Sequence, residues 1–99
     1  MTWTEDQVQE VWNKGKTVEK FDPEKWRKDA CGAWISRTEF GNKLSAFGWH
    51  VDHITPVETG GSDDISNLRP VHWKNIASKQ EGKLTCPVTA TDGQNIDHS

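Results

Sequence analysis

The sequence is short of the material for a large core. Apolar residues make up 32% of its 99 positions, which allows one domain around one small core. Six Trp and three Phe offset part of that shortage, because an aromatic ring buries far more area than a Val or Ala. A chain this small is modestly stable unless something staples it. Cysteine is nearly missing too. Cys31 and Cys86 are the only thiols, which excludes a four-cysteine zinc site within one chain, and no CxxC pair suggests half of one. One disulfide is arithmetically possible, and a mixed cysteine and histidine zinc site is a lesser alternative. The favoured reading is two free thiols, buried or half-buried, in a reducing compartment. No apolar run is long enough to span a membrane. The opening "MTWTEDQVQEVW" is acidic and lacks the basic-then-apolar pattern of a secretory signal. These absences predict a soluble, cytoplasmic protein with no membrane partner. Positive charge is not in excess either: the net charge is −3, which argues against a protein that coats nucleic acid. The charge is uneven, however. From Arg69 to Lys83 there are four bases, Arg69, Lys74, Lys79 and Lys83, and one acid, Glu81, and a local basic face can bind phosphates inside an acidic whole. The plain alternative is a solvated helix face.

What is present reads in order along the chain. Thr4-Glu5-Asp6-Gln7 is a capping box, and Val8, Val11 and Trp12 follow at helical spacing, so a helix is expected over about 5–13. Asp22-Pro23 offers an N-cap and a first-turn proline, which predicts a second short helix near 23–28. A short strand is expected over 32–35, then a turn-rich connection through "RTEFGNKLSAFG". Residues 49–55 alternate as a strand that Pro56 ends. Gly60-Gly61-Ser62-Asp63-Asp64 is a loop, 68–71 a second strand, and "HWKNIASKQ" a helix over 72–80 stopped by Gly82. Residues 87–99 are polar and are expected to form a poorly ordered, flexible tail.

The order strand, loop, strand, helix over 49–80 carries the chemistry. "GWHVDHITPVETGGSDD" puts His50, Asp52 and His53 within four residues, and a core strand has little use for three titratable groups. Asp-His-Ile-x-Pro, Gly-Gly, Asn-Leu and a helix ending in Lys occur in one order. His53 to Asn67 is 14 residues, and Asn67 to Lys79 is 12. This pattern, over about 48–83, closely resembles the HNH endonuclease family, and "CGAWI", "FGN" and "GWHVDHITPV" also resemble small stand-alone HNH proteins of bacteria and phages.

The resemblance implies an α+β fold: one small domain, 1–99, with a ββα-metal core at about 48–83 and N-terminal helices. It implies a metal-dependent endonuclease that hydrolyses DNA phosphodiester bonds, by nicking or by double-strand cleavage. His53 would be the general base, since an imidazole that titrates near pH ~6.5 can accept a proton at neutral pH. Asp52 would hold a divalent ion (Mg, Mn, Ni or Zn) acting as a Lewis acid on the phosphate. Asn67 would pin the loop around His53 through its amide. Arg69, Lys74, Lys79 and Lys83 would contact phosphates. DNA is the expected partner, with a phage packaging or defence protein as a further one.

One signature residue departs from the pattern. The family places a His or Asn nine residues after the central Asn as a second metal ligand, and here that residue is Ile76. Asn75 is adjacent, but one helical residue is about 100° of rotation. His50 lies two residues before Asp52, on the same side of an extended strand, and is a candidate second ligand, with His72 as a possible third. The alternative is a catalytically degenerate HNH-fold module that binds nucleic acid or protein.

Overall fold

The computed structural model describes residues 3–91 and 93–98. The capping box forms as expected: the Thr4 hydroxyl accepts from Gln7 N, the Gln7 side chain accepts from Thr4 N, and helix α1 runs Glu5–Trp12. Its buried stripe of Val8, Val11 and Trp12 packs with Ile35, Trp49, Val51 and Leu68 into the core. Two of the large rings meet at the centre, Trp12 and Trp49, with centroids 5.2 Å apart. Each buried indole N–H finds a carbonyl, Trp12 at Pro23 (3.0 Å) and Trp49 at Ser36 (2.8 Å). Buried indoles usually find such a partner, although the buried Trp34 Nε1 has none among the described residues.

The second helix expected near 23–28 is not there. Asp22 does cap a turn, its carboxylate accepting from Glu24 N, but the turn ends at once. Trp26–Lys28 is instead strand β1, paired antiparallel with β2, Trp34–Ser36. Tertiary pairing overrides the local signal here, because Lys28 also exchanges two 2.8 Å backbone hydrogen bonds with Lys16 on its other side. One isolated turn of helix could not match those bonds.

Strand β3, Trp49–His53, pairs antiparallel with β4, Leu68–His72. The register sets Asp52 directly opposite Arg69 and His53 opposite Leu68. Helix α2 follows without a loop over Trp73–Ala77, shorter than the expected 72–80. His72 is its cap rather than its first turn: the ring accepts from Lys74 N. The result is a two-stranded ribbon with α2 on one side and α1 on the other, an α+β arrangement.

Two expectations about the C-terminal part are corrected. The cysteines are not free thiols, because Cys31 and Cys86 form a disulfide. This removes the argument for a reducing compartment, since disulfides persist mainly under oxidising conditions. The segment 87–99 is not a loose tail over its described part. It folds into a hairpin of β5, Val88–Thr91, and β6, Gln94–Asp97. Polar composition hid this, because the hairpin is held by side-chain amides rather than by an apolar face. Asn75 bonds both backbone groups of Val88 (2.8 and 2.9 Å). Asn95 bonds both backbone groups of Trp34 (2.6 and 2.8 Å). Among the described residues no helix is long and apolar enough to cross a membrane.

Candidate active site

The end of β3, the turn at 56–58 and helix α2 enclose a cleft of about 470 Å³. Asp52, His53, Glu58, Ile76 and Lys79 line it. Besides its own backbone turns, its loop wall is braced by one side chain. Asn67 accepts from Thr55 N (2.8 Å) and donates to Thr55 O (3.0 Å) and Ser62 O (2.8 Å). An amide carries both a donor and an acceptor, which is what clamping a loop at its two ends requires. The glycine pair serves the same turn. Gly60 has φ +98°, and a Cβ on Gly61 would lie 1.8 Å from Thr55 O, so neither position admits a larger residue without displacing the loop.

The loop so held delivers Asp63 to His53. Its carboxylate lies 2.7 Å from His53 Nε2. A carboxylate only accepts, so Nε2 is the donor in this contact and Nδ1 is the ring nitrogen left for another partner. Trp3 stands beside the ring, centroids 6.0 Å apart. Asp63 is a functional candidate that sequence reasoning missed. The only signal for it was a pair of acids after Gly-Gly, which reads equally well as a solvated turn.

Asp52 is 3% exposed. Arg69 Nε donates to its Oδ2 and Lys79 Nζ to its Oδ1, both at 2.8 Å. The Arg69 contact follows from the register, since directly opposite residues of an antiparallel pair share a face. Lys79 also donates to His53 O at 3.0 Å, tying the segment just beyond α2 to the residue next to the carboxylate. Burying a carboxylate demands such pairing. One acid with two cations leaves this cluster with a net charge of +1.

The remaining predicted site residues go elsewhere. His50 stacks on Phe40, centroids 4.8 Å apart and planes 24° from parallel. It lines an adjoining cavity of about 390 Å³ with Trp73, which shares Val51 and Ile76 with the cleft and does not include Asp52. The convergence expected of His72 is corrected: it is buried, its Nε2 lies 2.8 Å from Ala46 O and its Nδ1 caps α2. Burial pushes its pKa below the ordinary histidine value. Asn75 points away from the cleft, fully buried against Asp29 and Val88. Lys74 pairs with Asp97, and Lys83 is exposed on the turn beyond α2.

Ile76 does line the cleft, so the helix presents the expected position with an aliphatic side chain on it. Both oxygens of Asp52 are engaged by cations, and no group of three or more His, Cys, Asp or Glu side chains suited to a metal ion occurs among the described residues. As arranged, this donor set does not fit a bound divalent ion, which needs several oxygen or nitrogen ligands.

Residues 39–74 match the family model described as HNH endonuclease. The match runs from the connection before β3 to the second residue of α2, so the likeness to HNH endonucleases lies on this ββα core and covers about a third of the chain. It stops two residues short of Ile76. No curated protein and no solved structure matches the chain.

Proposed function

We propose that the protein is a DNA endonuclease in which His53, oriented by Asp63, is the general base. The observation that carries this reading is the 2.7 Å contact between His53 Nε2 and Asp63, beside a cleft bearing a cationic cluster. Nδ1 takes a proton from a water molecule, and the water oxygen attacks phosphorus. The bond to the 3′ oxygen breaks, leaving a 5′ phosphate and, once that oxygen is protonated, a 3′ hydroxyl. Orienting the base before substrate arrives lowers the cost of reaching that geometry. Arg69 and Lys79, held by Asp52, supply the positive field for the anionic diester. Nucleases of this family use a divalent ion, and Asp52 is the one buried carboxylate in the cleft that such an ion would take as a ligand, in place of Arg69 or Lys79.

A plasmid-nicking assay tests this, run in Mg²⁺, Mn²⁺, Ni²⁺ and Zn²⁺ and in EDTA, with His53→Ala alongside. Nicking lost by about 100-fold or more in the variant is expected for removal of a general base. Equal background in both proteins in every condition would reject the enzyme and leave an HNH-fold module without catalysis. Ile76 and the doubly paired Asp52 are the features that favour that second reading.

A further inference from the structure

On the α1 side of the ribbon, a smaller cleft of about 200 Å³ brings Lys14, Lys16, Lys28 and Arg69 together. Four cations around one cleft are unexpected in a chain of net charge −3. The one acid in its wall is Asp29, which is 3% exposed. Its oxygens already accept from the backbone of Cys31, Ala33 and His72 and from Asn75 Nδ2. It therefore cannot turn outward to neutralise the lysines.

The backbone forces two of these cations together. Lys16 and Lys28 are directly opposite in an antiparallel bridge, and like charges in that relation destabilise a pair. Neither is relieved by an acid among the described residues. The Lys28 ammonium stands 5.0 Å from the Trp34 ring centroid. Lys14 Nζ donates to the carbonyls of Ile65 (2.6 Å) and Leu68, which fixes its position and leaves its charge intact. Arg69 is shared, lining this cleft while its Nε holds Asp52 in the other.

Resting on the nuclease reading above, we propose that this cleft binds a phosphate of the DNA backbone other than the one cleaved at His53. Lys16 and Lys28 are its principal contacts, and Arg69 links the two clefts. The sequence drew attention to the basic run at 69–83, yet Arg69 and Lys79 are occupied by Asp52 and Lys74 by Asp97. Of that run only Lys83, exposed on the turn beyond α2, has no acidic partner among the described residues, whereas Lys14, Lys16 and Lys28 all lack one and share a cleft.

The test is equilibrium binding of a short fluorescent DNA duplex in EDTA, between about 50 and 200 mM salt, where each neutralised phosphate contributes a slope of about −0.9 in log K against log salt. The Lys16→Gln/Lys28→Gln protein is expected to bind about tenfold more weakly at the middle of that range, with a slope shallower by about 1 to 2. Lys16→Gln alone should show a smaller loss in the same direction. Lys16 makes no side-chain bond among the described residues, so this single variant decides the matter if the double variant fails to fold. Lys25→Gln, exposed and outside the cleft, should bind as the native protein does. Native affinity and native slope in both cleft variants would overturn the proposal and leave the nuclease reading standing. If the native protein binds no duplex, the nucleic-acid reading fails and the proposed DNA occupant fails with it. Amide shifts on adding inorganic pyrophosphate then separate two cases. Shifts at residues 15–16 and 28–30 that vanish in Lys16→Gln leave an anion site of another kind, and their absence removes the site altogether.

Discussion

The two walls of the cleft beside His53 differ in how they are made. The loop wall, 54–67, is a closed system of local bonds: Asn67 clamps both ends, two glycines permit the turn, and Asp63 reaches His53. The helix wall is short and carries Ile76, so its one polar contribution is Lys79, spent on Asp52 and His53 O. The difference teaches that the base and its support can persist as a unit while the opposite wall changes. The loop residues hold one another, whereas α2 is anchored from its other faces, through Asn75 and the His72 cap, and Ile76 itself makes no polar contact in the cleft.

The largest effect should come from breaking the loop wall. Asn67→Ala removes three hydrogen bonds to the backbone of a largely exposed loop, and a loss of about 2 kcal/mol is expected at roughly 1 kcal/mol per net bond, moderated by water. Thermal unfolding should shift down by about 10 °C. A shift within a degree or two would mean that the loop holds itself without Asn67. Asp63 comes next. Asp63→Ala should lower nicking about tenfold by releasing the His53 ring, while Asp63→Asn, whose carbonyl can still accept from Nε2, should recover most of it. Nitrogen-detected NMR of the histidine ring gives a readout independent of activity: the Nε2–H tautomer should dominate in the native protein and mix in Asp63→Ala. An unchanged tautomer in that variant would reduce Asp63 to a bystander. The smallest change in stability, about 1 kcal/mol, is expected of Ile76→Asn, since the site is partly open. Its value lies in function. The substitution sets an amide oxygen in the cleft that holds Asp52, and Mn²⁺ binding by calorimetry should strengthen together with metal-dependent nicking. No gain in either would show that the helix wall is not what limits the site.

The loop wall was largely legible because its residues are close in sequence and their types are restrictive. A clamping amide, a paired glycine and a strand-ending proline each answer a backbone requirement. Asp63 escaped notice because an acid in a polar loop has an ordinary explanation, and only the closure of the loop shows what it touches. The helix near 23–28 was misread because β1 is held by partners distant in sequence: Lys28 by Lys16, twelve residues back, and Trp26 by Ser36, ten ahead. The hairpin at 88–97 was misread for a related reason. Asn75 and Asn95 carry no hydrophobic signal, yet they tie it to the core as strands would. The disulfide escaped for want of geometry, since two cysteines 55 residues apart pair only if the fold brings them together. The loop it closes spans the whole matched core, and on a chain-entropy view such a loop contributes about 4 kcal/mol. That is a large share for a domain of this size.

By itself the sequence determined the capped first helix, the strand–loop–strand–helix order, and the residues by which 39–74 match the HNH endonuclease family model. These depend on local propensity, on backbone conformations open only to glycine, and on side-chain chemistry at short range. Tertiary structure alone decided that both oxygens of Asp52 are taken, that His50 faces a different cavity, and that Lys16 and Lys28 stand side by side. Charges act through space, so which cation meets which anion is settled only when strands from distant parts of the chain fall into register.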